Sequence, residues 1–225
     1  MTSSTADRGT VLITGASRGL GRTLADLYAA AGLRVIACMR QASPGAEALD
    51  VADEGSIAAL GERLQGQPVD IVINNAAVRG DTGGLGSLAT GDFLEVMRIN
   101  ALAPLLLARA LRPNLLAGRR KVLVNISSRA GSLAEGTIDD EDGDYAYRCS
   151  KAALNMATVK LAQDFRRDGI AVISLHPGWV RTDMGGAEAA IDVAESAAGL
   201  KALIDATTPA ETGSFRAYDG RTVAW

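Results

Sequence analysis

The sequence predicts an α/β fold built on one doubly wound parallel sheet of about seven strands, with helices on both faces. Three observations carry this expectation. Short apolar strands alternate with helical patterns from one end of the chain to the other. A glycine-rich turn, Thr14 to Gly21, stands between the first strand and the first helix. No repeat and no low-complexity linker interrupts the 225 residues, which read as a single domain over 1–225.

The first strand is expected at Thr10–Ile13 and the first helix at Gly19–Ala31, closed by Gly32 just past its end. Leu33–Cys38 is the second strand, and Ala48–Val51 reads as a short third. Only nine residues separate Arg40 from Asp50, so the helix between the second and third strands is shortened or missing. Asp53 caps the next helix, where Ile57, Leu60 and Leu64 form one buried stripe. Val69–Asn74 is the fourth strand, and the loop Arg79–Gly91 after it carries five glycines. A helix then runs from about Asp92 to Leu111, bent at Pro104 and ended before Pro113. Lys121–Ser127 is the fifth strand. Beyond an acidic loop at 134–144, a long helix spans about Tyr147–Asp168, with Leu154, Ala157, Leu161 and Phe165 on one face. Ile170–His176 is the sixth strand and a last one lies near Ser214–Tyr218. The stretch after Thr182 is short and rich in alanine and glycine, so a small or absent lid and an open site are expected.

Composition narrows the function classes. With 48% apolar and 22% charged residues the chain is ordinary globular protein rather than a disordered one. Two cysteines, Cys38 and Cys149, cannot make a disulfide framework, suit a reducing compartment, and read as small buried fillers. The single histidine, His176, argues against a zinc site or a histidine-based triad, and it sits in a His-Pro-Gly turn with no carboxylate near it in sequence. The net charge of −3 and the lack of a basic block argue against nucleic acid. The most apolar stretch, Ile99–Leu111, is broken by Asn100, Pro104 and Arg109 and falls short of the ~20 residues a membrane span needs. Residues 1–9 are polar, lack the apolar run of a signal peptide, and are expected to form a flexible N-terminus. The expectation is a cytoplasmic protein without a membrane partner.

Thr14-Gly15-Ala16-Ser17-Arg18-Gly19-Leu20-Gly21 follows the first strand and opens the first helix. Glycines there let the backbone turn tightly and approach a pyrophosphate, which the helix N-terminus attracts through its free N–H groups and its dipole. The spacing is G-x-x-x-G-x-G, and with 25 glycines in the chain chance supplies about 0.3 such matches. The spacing alone is therefore weak and also suits a plain strand–helix turn; its position is what points to a nucleotide. At the end of the second strand an acid would bind the ribose 2′-OH of NAD, whereas arginines would neutralise a 2′-phosphate. Ala37-Cys38-Met39-Arg40 holds no acid, and Arg18 can approach from the glycine loop. NADP(H) is accordingly preferred over NAD(H), unless both arginines are plain surface charges.

Tyr147-Arg148-Cys149-Ser150-Lys151 puts a phenol and an ammonium at i and i+4, on one helix face. Four tyrosines and four lysines would supply about 0.07 such pairs by chance. A nearby cation favours the phenolate, so such a pair can protonate a carbonyl oxygen as hydride reaches its carbon. Tyr145 is a decoy, since Cys149 occupies its i+4 position. Ser127-Ser128 ends the fifth strand, at the carboxyl edge where open α/β sheets place their ligands, and a hydroxyl there can orient a developing oxyanion.

In order along nearly the whole chain, Thr14–Gly21, Asn74-Asn75-Ala76-Ala77, Asn100, Ile126-Ser127-Ser128, Tyr147–Lys151 and Pro177-Gly178-Trp179-Val180-Arg181-Thr182 resemble the motifs of the short-chain dehydrogenase/reductase family. The resemblance implies a Rossmann-type fold and gives Tyr147 the acid/base role, with Lys151 lowering its pKa and binding ribose. Ser128 would orient the carbonyl, and Asn100 would hold a proton-relay water at the bend in its helix. Asp50 and Val51 would meet the adenine, and Asn74, Asn75 and Ala76 the cofactor ribose. Pro177, Gly178, Val180 and Thr182 would hold the nicotinamide, and Trp179 either packs near it or fills space at the sheet edge. Tyr145–Met156, His176–Gly186 and Tyr218-Asp219-Gly220 are similar, more narrowly, to the C-factor and sniffer-like carbonyl reductase group. That likeness implies NADPH-dependent reduction of a ketone or aldehyde to an alcohol, with a small-molecule carbonyl substrate. It equally implies the alternative, a cofactor-binding signalling protein whose role does not require turnover. Family members commonly pair through the helix starting near Asp92 and the one carrying Tyr147, which implies a homodimer or a tetramer. Ser128 and Tyr147 stand 19 positions apart, more than is usual, and the loop 134–144 between them borders the substrate entrance or is merely solvated.

Overall fold

The computed structural model describes residues 9–41, 43–136 and 143–225. The expected flexible segment up to residue 8, and the acidic residues Asp139 to Asp142, lie outside the described residues. Gly9 already belongs to the folded part, buried and accepting the Arg34 N–H through its carbonyl at 3.0 Å.

Strand β1 (Thr10–Thr14) is buried along its whole length, as a strand covered on both faces of a parallel sheet must be. Around it β2 (Arg34–Met39), β3 (Ala46–Ala48), β4 (Ile71–Asn74), β5 (Val122–Ile126), β6 (Ala171–His176) and β7 (Phe215–Ala217) form one sheet in the order β3-β2-β1-β4-β5-β6-β7. Every pairing is parallel. The direction of winding reverses between β1 and β4, and a crevice opens there at the carboxyl ends of the strands.

Alternation along the strands divides the core. Leu12, Val72 and Leu123 face one layer, formed by α2 (Glu54–Arg63), α4 (Ala103–Ala117) and the C-terminal half of α5 (Tyr145–Asp164). Ile13, Ile73 and Val124 face the other, formed by α1 (Gly19–Ala30) and α6 (Val193–Ala206). At the amino edge the Asp70 carboxylate accepts the N–H groups of Thr10, Arg119 and Arg120 at 2.8–3.1 Å, binding the start of β1 to the turn before β5.

Several expectations are corrected. The third strand lies at Ala46–Ala48, not Ala48–Val51: the Asp50 N–H is taken by Ser56 Oγ, which pulls that segment out of the ladder. No helix stands between Met39 and Ala46 among the described residues. The bend near Pro104 is a π-turn at Arg98–Leu102, and Pro104 occupies the first turn of α4, where its missing N–H is harmless. Pro113 lies inside α4 rather than beyond it. Asn114 donates to the carbonyls of Leu64 and Gln67, at 2.6 and 2.8 Å, and with buried Leu115 it anchors the last turn against the cost of an interior proline. Helix α6 was not anticipated, although buried Ala197, Leu200 and Ile204 recur at its inner face. It packs on the α1 layer, so only a short segment at 183–192 stands between Thr182 and α6. Finally, Cys38 is buried as expected but Cys149 is exposed, because it points away from the Ala146–Ser150–Leu154 face that α5 presents to the core.

Candidate active site

The chain leaves β1 at Thr14 and enters α1 through a turn that favours glycine. Gly15 and Gly19 have φ of +66° and +54°, in the left-handed region. A Cβ on Gly21 would stand 2.4 Å from the Gly15 carbonyl oxygen, so the helix start and the turn touch backbone to backbone. Arg18 at the helix N-cap supplies no side-chain cap. The N–H groups of the first turn thus face the crevice without a side-chain partner at that cap, which suits a pyrophosphate. Ser17 and Arg18 are exposed, and Leu20 packs toward the core.

Asn75 braces this turn from the next strand. Its Nδ2 donates to the carbonyls of Thr14 and Gly15 at 2.9 and 3.3 Å. The backbone N–H groups of Asn75 and Ala76 both donate to Thr14 Oγ1 at 3.0 Å. Asn74 points the other way: its Nδ2 donates to Asn125 Oδ1 at 2.9 Å, while its buried Oδ1 has no partner among the described residues. The segment after β6 closes the crevice from the far side. Thr182 reaches within 3.5 Å of where a Gly19 Cβ would stand, and Asp183 pairs with Arg18. Val180 is buried and bridges Ile191, the Pro177 carbonyl accepts from Ser196 Oγ at 2.7 Å, and Gly178 sits at φ +82° against Ile191 and Tyr218. Trp179 is exposed, its Nε1 donating to the Gly185 carbonyl. Asp50 and Val51 follow β3 at the other end of the crevice, where the Asp50 carboxylate accepts the Ala52 N–H at 2.9 Å. Arg40 stands exposed just past β2, with no acid paired to it among the described residues.

Ser128, Tyr147 and Lys151 come together at the carboxyl ends of β5 and β6. Ser128 bears on the Tyr147 phenol and favours its ionised form, and Ser128 Oγ accepts the Ala130 N–H at 3.1 Å. Lys151 is 3% exposed; its Nζ donates to the Ile126 carbonyl at 2.9 Å and lies 5.6 Å from the centre of the Tyr147 ring. Burial pushes the Lys151 ammonium down to about 8. Burial pushes the Tyr147 phenol above its ordinary value, while the Ser128 hydroxyl and then the Arg79 charge pull it back. Asn100, on the π-turn, holds Val78 by both backbone groups: Oδ1 accepts its N–H at 2.9 Å and Nδ2 donates to its carbonyl at 2.8 Å. The same Nδ2 donates to Ser150 Oγ, which donates to the Tyr147 carbonyl at 2.7 Å. His176, at the end of β6, has a buried Nδ1 without a partner among the described residues, and burial holds its pKa down at about 4.

Sequence reasoning missed Arg79 and Asp144, which pair beside Tyr147 from positions too far apart to signal each other. It also missed the buried polar contacts that seat α5. Asn125 Nδ2 donates to Thr158 Oγ1, and Asn155 accepts from Ser127 and Ser174 while donating to the Gly131 carbonyl.

A glycine-turned crevice facing a Ser–Tyr–Lys group across the end of a parallel sheet defines a nicotinamide-dependent oxidoreductase. The chain belongs to the short chain dehydrogenase family, whose model matches residues 9–190. It is 43% identical over 158 residues to C-signal of Myxococcus xanthus, covering 70% of this chain and 93% of that protein. The NADPH-bound carbonyl reductase from chicken fatty liver superposes with a TM-score of 0.87 at 32% identity, over 96% of this chain and 98% of that one. Carbonyl reductase Sniffer of D. melanogaster gives 0.88 at 28% identity, over 96% and 99%.

Because a Gly21 Cβ would stand 2.4 Å from the Gly15 carbonyl oxygen and 2.5 Å from the Asn75 amide that braces the turn, Gly21→Ala should distort the turn while leaving the sheet intact. Fluorescence titration should show nicotinamide cofactor binding weakened by at least about tenfold, with an unchanged circular dichroism spectrum. Wild-type affinity in the variant would rule out this turn as the pyrophosphate site.

Proposed function

We propose that this chain is an NADPH-dependent reductase of small-molecule ketones or aldehydes, with Tyr147 as the general acid. The observation that supports this best is the Tyr147 phenol, faced by the Ser128 hydroxyl and overlain by the Lys151 ammonium at the carboxyl edge. When bound, the reduced nicotinamide supplies hydride to the carbonyl carbon. Ser128 holds the carbonyl oxygen, and Tyr147 passes its proton to that oxygen as negative charge develops there. The phenol holds its proton until a base takes it, because burial keeps its pKa high. Lys151 then stabilises the phenolate from the ring face and also binds the nicotinamide ribose. Asn100, at the irregular turn, keeps Ser150 and the Tyr147 backbone in place and holds the water that returns a proton.

The residues present fit the cofactor. The glycine turn from Thr14 to Gly21 receives the pyrophosphate, and Asn74, Asn75 and Ala76 border the ribose. Asp50 and Val51 border the adenine; Pro177, Gly178, Trp179, Val180 and Thr182 border the nicotinamide. Arg40 carries the preference for a 2′-phosphate. Arg18 is the weaker contributor, since Asp183 already holds it, although that pair is exposed and easily exchanged. NADPH should bind more tightly than NADH in a fluorescence titration, and Arg40→Ala should remove most of the difference; equal affinities in the wild type would refute the preference.

Tyr147→Phe should retain NADPH affinity and lower kcat by about 10²–10⁴-fold; undiminished turnover would sink the assignment. The likeness to C-signal favours a second reading, a cofactor-binding signalling protein that needs no turnover. Full rescue of a deletion strain by Tyr147→Phe would select it. The chain assembles, on either reading, as a symmetric homodimer, or a tetramer built from such dimers. Its pairing face is α3 (Thr90–Met97) and the π-turn that leads into α4, together with α5, where Leu94, Leu102 and Met156 are 60%, 40% and 62% exposed. Light scattering should report at least twice the chain mass, and a monomer would exclude that face as an interface.

A further inference from the structure

Asp144 immediately precedes α5 in the left-handed conformation, φ 53° and ψ 30°, which an aspartate tolerates better than most residues. At this position an aspartate commonly caps its own helix. This one does not. Its two oxygens accept instead from the Arg79 guanidinium, Oδ1 from Nε at 3.0 Å and Oδ2 from Nη2 at 2.6 Å, in the planar fork that arginine forms with carboxylates. The Asp144 side chain is only 15% exposed.

Both ends of this contact are held. Arg79 follows Val78, whose N–H and carbonyl are both bound by Asn100. Asp144 follows Gly143, at φ +125°, where a Cβ would stand 2.4 Å from the Thr82 carbonyl oxygen. The Asp144 carbonyl accepts the Arg148 N–H at 2.9 Å, starting the helical turn that carries Tyr147. The charged and polar groups that bear on Tyr147 come from three places. Arg79 comes from the loop after β4, and Ser128 from the end of β5. Asp144, Arg148 and Lys151 come from α5 and its entry. Arg79 and Arg148 favour the phenolate, and Asp144 opposes it.

We propose that Arg79 and Asp144 are positioning residues for Tyr147, a strut that runs from the Asn100 turn to the first turn of α5 and balances two opposite charges at the phenol. The proposal rests on the reading of Tyr147 as the proton donor. A plain surface ion pair would add little to stability and would leave the phenol unaffected when removed.

The test is a pH titration of Tyr147 in full-length protein labelled with 13C at the tyrosine Cζ, its resonance assigned by its loss in Tyr147→Phe. Arg79→Met should move the titration to higher pH, since a cation is lost and Asp144 is left uncompensated. Asp144→Asn should move it to lower pH, and the double variant should fall between. If neither single variant moves the titration, or both move it the same way as simple loosening would, the proposal is overturned. Asp144→Asn is isosteric, so its shift alone decides the matter if Arg79→Met fails to fold. In turnover with a reducible carbonyl, Arg79→Met should lower kcat by about tenfold with NADPH affinity within about twofold of wild type. Arg79→Lys should recover little, because an ammonium cannot form the fork. Opposite titration shifts with no turnover of any carbonyl would sink the reductase reading and leave the strut standing. Turnover lost in Tyr147→Phe without titration shifts would do the reverse.

Discussion

The site depends on how α5 is seated. Most helices of this fold meet the sheet through leucine and isoleucine, which tolerate sliding by a turn. The middle of α5 meets it instead through Lys151, Asn155 and Thr158, all buried. Each has a partner at a fixed place: the Ile126 carbonyl, the Ser127–Ser174 pair with the Gly131 carbonyl, and Asn125. A buried amide left without its partner costs about 1–3 kcal/mol. A shift of one turn would break all of these contacts together, so the register of α5, and with it the place of Tyr147, is set far more sharply than apolar packing could set it.

Close approach makes the same demand from the other side. A Cβ on Gly131 would lie 2.4 Å from the Lys151 carbonyl carbon, so the turn after β5 touches the helix backbone itself. Ser128 stands at the start of that turn and is thereby carried to the phenol. The expense falls on Lys151, whose ammonium gives up water for one carbonyl among the described residues, and its depressed pKa records that. An apolar residue there would pack more favourably. The lysine makes sense only if something else that carries acceptors comes into the crevice, and the glycine turn on the opposite wall is built for such a group.

What could be read from the sequence was whatever lies within one element or at its border. The glycine turn is legible because strand, turn and helix are contiguous, and Tyr147 with Lys151 because one helical turn separates them. The missing helix after β2 follows from counting residues between Arg40 and Asp50. Helix α6 was legible from Ala197, Leu200 and Ile204, which keep a helical period, although the alanine and glycine around them also suit a loop. Other features were not legible at all. Pro113 stays helical because Asn114 finds two carbonyls in the loop after α2, a tertiary reason that overrides a local rule. Asn75 looks like a ligand residue in the sequence, yet its amide braces the glycine turn. Arg79 and Asp144 are joined only by the fold, across 65 positions.

Adjacent residues within one motif therefore serve different ends. Asn74 and Asn75 are neighbours, but alternation along a strand sends their side chains to opposite sides. One ties β4 to β5 and through Asn125 to α5; the other ties β4 to the turn before α1. The two walls of the crevice are thus joined at a single dipeptide at the end of β4, where the sheet reverses its winding. Asn100 repeats the pattern, with one amide fixing Val78 after β4 and Ser150 on α5. A strain applied at the glycine turn consequently has a short route to Tyr147, through side chains rather than through the core. The buried Oδ1 of Asn74, without a partner among the described residues, lies on that route.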